Sequence, residues 1–216
     1  REAVRQAMND ADASVRHAAI KVVSLWRDAK AFDRLVRNLE KGDDAQAAVA
    51  AEALGRLGNS QAIPALLRIA ERLPELEVPD KTADLVFTTA ARYLEHSLTF
   101  ALIGLGDAAQ TSQGLLSKHA GVNRVALMAL DQMENGGLKP ETIALLLGSP
   151  KPILRQTAIW IATRHANWGG ALAGHFQEQL NRTPSGEEGP ALEKQLALFS
   201  RDAAIQELLA FKIHSA

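Results

Sequence analysis

A segment that recurs about every 32 residues constrains the fold of this chain more than any other feature. Residues 12–22 (DASVRHAAIKV) and 44–54 (DAQAAVAAEAL) both begin with an aspartate and carry paired small residues followed by an apolar one. Further copies begin at Asn123 and Leu154, and residues 95–102 form the weakest copy. A break and a second amphipathic segment follow each copy. This period and this layout of helix, short turn and helix are typical of helical-hairpin solenoids.

The composition favours the same fold. Of the 216 residues, 38 are alanine and 30 are leucine, whereas aromatic residues make up only 5%. Alanine and leucine rank high in helix propensity, and the residues that favour strands are sparse. Small residues in the repeat, among them Ala51 and Ala126, would let helices approach closely while leucines fill the remaining space. We therefore predict an all-α protein, an α-solenoid of about six stacked antiparallel helical hairpins.

Two segments interrupt the repeat. The insertion at residues 74–92 opens with the stretch PELEVPD, whose prolines end the preceding helix, and continues as an extra helical segment. The polar stretch TPSGEEGP at residues 183–190 predicts a loop. Such insertions often lie on the binding face of a solenoid, but a tolerated surface loop is the alternative for both. We predict a single HEAT-like domain over residues 1–216, and its uncapped amphipathic ends indicate a fragment of a longer chain.

Several classes of function are disfavoured by what the sequence lacks. Without cysteine, the chain has no disulfide, no Cys-ligated metal and no attachment site for c-type haem. A net charge of −1 argues against general binding to nucleic acid, and no apolar run is long enough to span a membrane. The stretch GLGDAA at residues 104–109 follows a predicted helix, so it indicates a helix end rather than a dinucleotide site. We predict no catalytic, cofactor-binding or metal-binding residues.

Charged residues recur at the start of the repeated helices. Arg16, Arg124 and Arg155 align with one another in the first helical turn, and Asp12 and Asp44 begin two of the copies. A guanidinium group binds a carboxylate well through its fork of N–H donors. We therefore predict a structural ladder in which these arginines pair with aspartates of neighbouring turns. An arginine patch for an anionic ligand is the alternative, although no segment of the chain is strongly basic.

Aromatic and polar residues near turns are the candidates for partner contacts. Tyr93, Glu95 and His96 belong to the densest polar cluster. Adjacent helical residues point about 100° apart, which disfavours an acid–base pair of Glu95 and His96. Trp168, in the polar turn ANWGG, is predicted either to plug the space between repeats or to anchor a partner. Trp160 lies in an apolar run and is predicted to pack in the core.

The repeat resembles the HEAT family and its shorter HEAT-like relatives. Residues 12–19 (DASVRHAA) and 53–66 (ALGRLGNSQAIPAL) carry this resemblance, which covers nearly the whole chain. Residues 94–107, 123–138 and 154–169 resemble the HEAT region of large exported planctomycete and verrucomicrobial proteins. Those bacterial proteins are commonly called membrane-bound-dehydrogenase-like or haem-binding proteins. In that family the helical region lies between a sugar-dehydrogenase-like β-propeller and a c-type cytochrome domain.

The narrower resemblance implies a non-catalytic spacer or docking module in an extracytoplasmic, for instance periplasmic, redox protein. Its partner would be a protein or a neighbouring domain of the same chain, without nucleic acid and without direct membrane insertion. Because the Cys-x-x-Cys-His motif is absent, any c-type haem of the parent protein would lie outside residues 1–216. The alternative is an enzyme built on HEAT-like repeats, such as a bilin lyase or a DNA glycosylase. A glycosylase would need a basic groove, which the charge balance disfavours.

Overall fold

The computed structural model of the chain describes residues 1–75, 89–182 and 188–214. These residues form α-helices and short 3-10 turns without a β-strand, which confirms the predicted all-α solenoid class. The chain divides into an N-terminal unit, Arg1–Gly137, and a C-terminal unit, Leu138–Ala216. The prediction of a single domain over residues 1–216 stays a prediction.

The described helices follow one another with short connections. In the N-terminal unit they are α1 (Glu2–Ala7), α2 (Ala13–Leu25), α3 (Phe32–Lys41), α4 (Asp44–Leu57), α5 (Ile63–Ile69), α6 (Thr89–Leu105), α7 (Ala108–Ser112) and α8 (Ala120–Gln132). In the C-terminal unit they are α9 (Pro140–Leu147), α10 (Pro152–Ala162), α11 (Gly169–Asn181), α12 (Glu188–Leu198) and α13 (Ala203–His214). The 3-10 turns are Ala29–Ala31, Ser60–Ala62, Ala70–Arg72, Gln113–Leu116 and Ala166–Trp168.

Side chains at the turns define where the helices begin and end. Asp12 caps α2 and Asp43 caps α4, because each carboxylate accepts a bond from a backbone N–H of the first turn, at 2.7 and 2.8 Å. Asp44, which the sequence aligns with Asp12, is instead the first residue of α4, and its carboxylate lies 3.9 Å from Arg72. Gly58 ends α4 in the left-handed conformation with φ 79°, which glycine adopts at no steric cost.

Among the described residues, neither Arg16 nor Arg155 forms a salt bridge with an aspartate as predicted, and both bind backbone carbonyl oxygens instead. Nη1 of Arg16 donates to the carbonyl oxygens of residues 10 and 11 at 2.9 and 2.8 Å. Nη1 of Arg155 donates in the same way to residues 149 and 150, at 2.8 and 3.3 Å. Both arginines lie four residues after their helix cap and reach back over the preceding turn. They thereby provide donors for carbonyl oxygens of these turns.

Arg124 has a different role. In the repeat alignment it matches Arg16, but its helix α8 begins one residue earlier than that alignment implies, so Arg124 lies five residues after the helix cap and not four. The position four residues after the cap of α8 is occupied by Asn123, whose Nδ2 donates to the carbonyl oxygen of Ser117 at 2.8 Å. Asn123 is therefore the structural equivalent of Arg16. Arg124 points instead toward the neighbouring repeat, where its guanidinium group pairs with Glu95 of α6.

A ladder of ion pairs between repeats does exist, but it lies mainly on the second helices. Arg34 of α3 lies 3.1 Å from Glu2 of α1, and Arg68 of α5 lies 2.7 Å from Glu40 of α3. Glu2 and the Arg68 side chain are more than half exposed, at 54% and 62%. Exposed pairs of this kind contribute little to the free energy of folding.

Helix α4 lies at the centre of the N-terminal unit. It packs between α2 and α6 and also contacts α3, so residues 46–51 are all buried. At its carboxyl end, Gly55 lies against Ala101 of α6, where a Cβ on the glycine would be only 2.7 Å from the Ala101 Cα. Ala51 and Ala126 are completely buried. Small residues thus permit close contact between first helices.

The C-terminal unit has its own core. Helix α11 contacts α9, α12 and α13, and α9 also packs on α10. The rings of Phe176 and Phe199 lie 5.6 Å apart between centroids, and both are almost completely buried. Leu172 and Ile205 are fully buried beside them in the same set of helices. These large side chains fill the space between α11, α12 and α13.

Both predicted interruptions fall partly outside the described residues. Residues 76–88 of the insertion 74–92 are not described, and residues 89–92 form the first turn of α6. Residues 183–187 of the predicted loop 183–190 are likewise outside the described ranges. Helix α12 begins at Glu188, so residues 188–190 are helical rather than part of the loop.

A buried ion pair joins α1 to the turn before α3. Nη1 of Arg5 donates to Oδ2 of Asp28 at 2.6 Å, and the Asp28 side chain is 5% exposed. Burial would raise the pKa of the Asp28 carboxyl, but the bonds from Arg5 and from the backbone N–H of Lys30 outweigh it and lower that pKa. This contribution to stability is fully present above the unfolded-state pKa of about 3.9 and is lost as pH falls through the folded-state value.

We therefore expect the urea concentration at the unfolding midpoint of the wild type to decrease as the pH is lowered from about 6 to about 3. At about pH 6, Asp28→Asn should be less stable than the wild type. The gap between the two proteins should narrow as the solution is acidified, because protonation removes the same charge that the variant lacks. A gap that stays constant over this range would contradict the assignment. Asp33→Asn, on the exposed first turn of α3, provides the control.

Candidate functional site

Helix α6 presents three aromatic rings on one exposed face. Tyr93, His96 and Phe100 are spaced at i, i+3 and i+7, which places them on the same side of a helix. Tyr93 is 42% exposed, Phe100 is 47% exposed, and His96 is also exposed. We call these three residues the aromatic stripe. Exposed aromatic groups in a continuous row are typical of binding surfaces, since large rings contribute much of the energy of protein interfaces.

The opposite face of α6 holds this helix firmly in the N-terminal unit. Leu94, Leu98 and Leu102 are completely buried. Ala101 lies in the close contact with Gly55 of α4, so the two backbones approach without intervening side chains. A helix anchored in this way loses little conformational freedom when a partner binds, which lowers the cost of binding.

One end of the aromatic stripe is fixed by hydrogen bonds to α4. The Tyr93 hydroxyl donates to Oε1 of Glu52 at 3.2 Å, and the Ser97 hydroxyl donates to the same oxygen at 3.0 Å. Partial burial and the neighbouring Glu52 carboxylate both raise the pKa of the Tyr93 hydroxyl. The phenol therefore stays neutral and keeps its proton available for this bond at physiological pH. The ring presents its apolar surface in a defined position.

At the other end, the rings of His96 and Phe100 stack against each other. Their centroids are 6.5 Å apart and their planes differ by 21°. Tyr93 and His96 were predicted from the sequence as candidates for partner contacts, whereas Phe100 was not. The spacing of the three rings along one helical face was the signal that would have found it.

Glu95 does not share the exposed face. The residue is 8% exposed, and its carboxylate forms an ion pair with Nε of Arg124 on α8. The second oxygen, Oε2, lies 3.5 Å from Nη2 of the same arginine. Glu95 thus links α6 to α8, while Tyr93 and His96 on either side of it in the sequence face outward. The predicted polar cluster is divided between the interior and the surface.

The two candidate tryptophans lie in the C-terminal unit. Trp168 is half-buried, and its ring stacks on His165 with centroids 3.9 Å apart and planes 5° apart. Trp160, which was predicted to lie in the core, is 40% exposed. The Arg164 guanidinium lies over its ring, 4.8 Å from the centroid. That prediction was wrong because the apolar neighbours Ile159 and Ile161 occupy other faces of α10.

The N-terminal unit also contains a cleft of about 340 Å³ beside α5 and the 3-10 turn that follows α7. Ile63, Leu67 and Val122 supply apolar walls, and Arg68 and Glu71 lie at its edge. In the described part of the chain, no three histidine, cysteine, aspartate or glutamate side chains are arranged to hold a metal ion. None of the described helices has the length and apolar character needed to cross a membrane.

The first part of the chain is similar to known HEAT repeats. Residues 1–78 match the family model for HEAT repeats. This range includes the first two copies of the repeat. No curated protein sequence matches the chain. The narrower resemblance to planctomycete and verrucomicrobial proteins stays a prediction.

Two solved structures are similar over most of their length. Human deoxyhypusine hydroxylase in complex with glycerol is 18% identical, with 92% of this chain and 84% of that chain covered and a TM-score of 0.35. The complex of CpcE and CpcF of phycocyanin lyase from Nostoc sp. PCC7120 is 17% identical, with 92% and 94% covered and a TM-score of 0.35. Similarity at this level does not transfer the activity of either protein to this chain.

Proposed function

We propose that this chain is a non-catalytic HEAT-repeat scaffold that binds a protein, or a neighbouring domain of its own chain, through the aromatic stripe of α6. The observation that carries the proposal is the row formed by Tyr93, His96 and Phe100 on a helix whose other face is buried. Apolar rings that are exposed and already fixed in place favour binding, because little side-chain entropy remains to be lost.

The finer proposal concerns the larger protein. We infer that this region serves as a spacer or docking module in an extracytoplasmic redox protein with dehydrogenase-like and cytochrome c domains. Its support is the resemblance of residues 94–107, 123–138 and 154–169 to the corresponding family. The gene that encodes the chain would then also encode an export signal and a Cys-x-x-Cys-His motif. A gene without either feature would contradict the finer proposal and leave the scaffold proposal intact.

Site-specific crosslinking tests the scaffold proposal. A photoreactive phenylalanine analogue at position 100 should give adducts with one partner or domain in the native host, and the same analogue at position 116 should not. Leu116 is a suitable control because it is 78% exposed and lies in the same unit. The partner is identified by mass spectrometry of the adduct.

Affinity measurements with the purified partner then test whether the rings of the aromatic stripe contribute to binding. Tyr93→Ala and Phe100→Ala should each weaken binding by about 2 kcal/mol, roughly 30-fold, if the rings are hot spots. Leu116→Ala should leave the affinity unchanged. Equal affinity for all four proteins would contradict the proposal, as would substrate turnover by the purified chain alone.

A further inference from the structure

A second cleft in the N-terminal unit has a different chemical character. It has a volume of about 350 Å³ and opens beside the carboxyl end of α3, the first turn of α2 and the first turn of α4. Arg16, Arg37 and Lys41 contribute three cations to its lining, and no carboxylate of the described residues lines it. The amide side chains of Asn38 and Gln46 complete the wall. We call these five residues the basic cleft.

A chain of side-chain hydrogen bonds fixes Arg16, one of the two arginines of this cleft, in position. Nε of Arg16 donates to Oε1 of Gln46 at 2.9 Å, and Nε2 of Gln46 donates to Oδ1 of Asn38. Nδ2 of Asn38 in turn donates to the carbonyl oxygen of Arg34 at 2.8 Å. Asn38 is 5% exposed and Gln46 is 7% exposed, so the bond between these two amides is shielded from water, whereas the bond from Arg16 is partly buried. The orientation of the guanidinium plane is thereby set before any ligand arrives.

The donors that face the cleft exceed the acceptors available to them. Nη1 of Arg16 binds turn carbonyls, whereas no described residue provides an acceptor for Nη2. Arg37 and Lys41 are exposed, four residues apart on α3, and neither forms an ion pair with a described residue. Like charges at this spacing repel each other. An anion in the cleft would relieve that repulsion.

The nearby carboxylates already have hydrogen-bond or ion-pair partners. Asp12 accepts bonds from the backbone N–H and the hydroxyl of Ser14, at 2.7 Å each. Asp43 accepts from the backbone N–H of Gln46 at 2.8 Å, and Glu40 pairs with Arg68. These groups hold the helix ends and the second helices. The Asp12 carboxylate also interacts electrostatically with Arg16, so the charge left without a nearby anion lies mainly on Arg37 and Lys41.

We propose that the basic cleft binds a tetrahedral oxyanion, either free phosphate or a phosphoryl group carried by a small molecule. The guanidinium fork of Arg37, Nη2 of Arg16 and the ammonium group of Lys41 match the oxygens of a phosphoryl group. The basic cleft shares no residue with the aromatic stripe, so binding in the cleft does not depend on the stripe. Failure of one proposal therefore leaves the other standing.

Titration of the chain with inorganic phosphate, followed by amide chemical shifts at constant ionic strength, tests the proposal. We expect saturable shifts confined to residues 8–16 and 37–46, with acetate giving no saturable shift at the same amides. Arg37→Ala with Lys41→Ala should raise the dissociation constant about tenfold or more. Lys21→Ala with Lys30→Ala removes the same charge from exposed positions outside the cleft. This control should leave the dissociation constant within about twofold of the wild-type value.

Phosphoserine provides the second arm of the experiment. Tighter binding of phosphoserine than of inorganic phosphate would identify a carried phosphoryl group, and the reverse order would identify the free anion. Either result supports the site. Shifts that do not saturate would overturn the proposed site, as would shifts that weaken equally in the two double variants. In either case, general attraction of the anion to the surface charge would explain the shifts.

Discussion

Replacing Gly55 with leucine is expected to lower the free energy of unfolding by about 3 kcal/mol, the largest effect of any single change considered. A Cβ at this position would lie 2.7 Å from Cα and 3.1 Å from Cβ of Ala101, and the nearest of these atoms is a backbone atom that cannot rotate away as the end of a flexible side chain can. Helices α4 and α6 would have to separate, which would also disturb the buried leucines beneath α6. Chemical denaturation measures the change.

Gly104→Leu is the matched control, since this glycine lies on α6 in the same contact region. A Cβ there would be 3.5 Å from the carbonyl oxygen of Gly55, an ordinary contact, and the residue is exposed. Leucine has the higher helix propensity, so the control should be neutral or stabilised by up to about 1 kcal/mol. A loss of similar size in both variants would show that crowding at Gly55 is not the cause.

Replacing Glu95 with leucine is expected to cost about 2–3 kcal/mol. The Glu95 side chain is 11% exposed and that of Arg124 is 23% exposed, so the pair is largely shielded from water. Removal of the carboxylate leaves a guanidinium group in that environment without its Glu95 partner. The loss should therefore exceed that of an exposed pair such as Arg68 and Glu40, for which Glu40→Leu should cost less than about 1 kcal/mol.

A double variant separates the charge from the packing. Glu95→Leu combined with Arg124→Leu should recover most of the loss, because two apolar side chains of similar volume avoid the desolvation of an unpaired charge. The double-mutant cycle then gives a coupling energy between α6 and α8. A strictly additive double variant would mean that the two residues do not act as a pair.

Local signals in the sequence were sufficient for the class of fold and for several helix ends. Alanine and leucine at repeated positions predicted helices, and Asp12 and Gly58 mark a helix start and a helix end as such residues usually do. Ala51 and Ala126, predicted to allow close approach, are completely buried. The helices and their ends depend on residues within a few positions of one another, whereas the burial of Ala51 and Ala126 also requires the neighbouring helices.

The partners of individual side chains could not be predicted in the same way. A slip of one residue in the repeat moves a side chain by about 100° around its helix, so Asn123 rather than Arg124 takes the role of Arg16. The same rotation places Glu95 in the interior and His96 at the surface. Small offsets in register thus change the role of a residue without changing the pattern that predicts the helix.

Periodicity and propensity, which act over one or two helical turns, determined by themselves that this chain forms stacked helices. Tertiary packing decided which faces stay exposed, because exposure depends on neighbours that lie about 30 residues away in sequence. The aromatic stripe exists because α4 and α8 cover the other sides of α6, and the basic cleft exists because the turns before α2 and α4 meet the end of α3. Both candidate sites are products of stacking, which a single repeat does not encode.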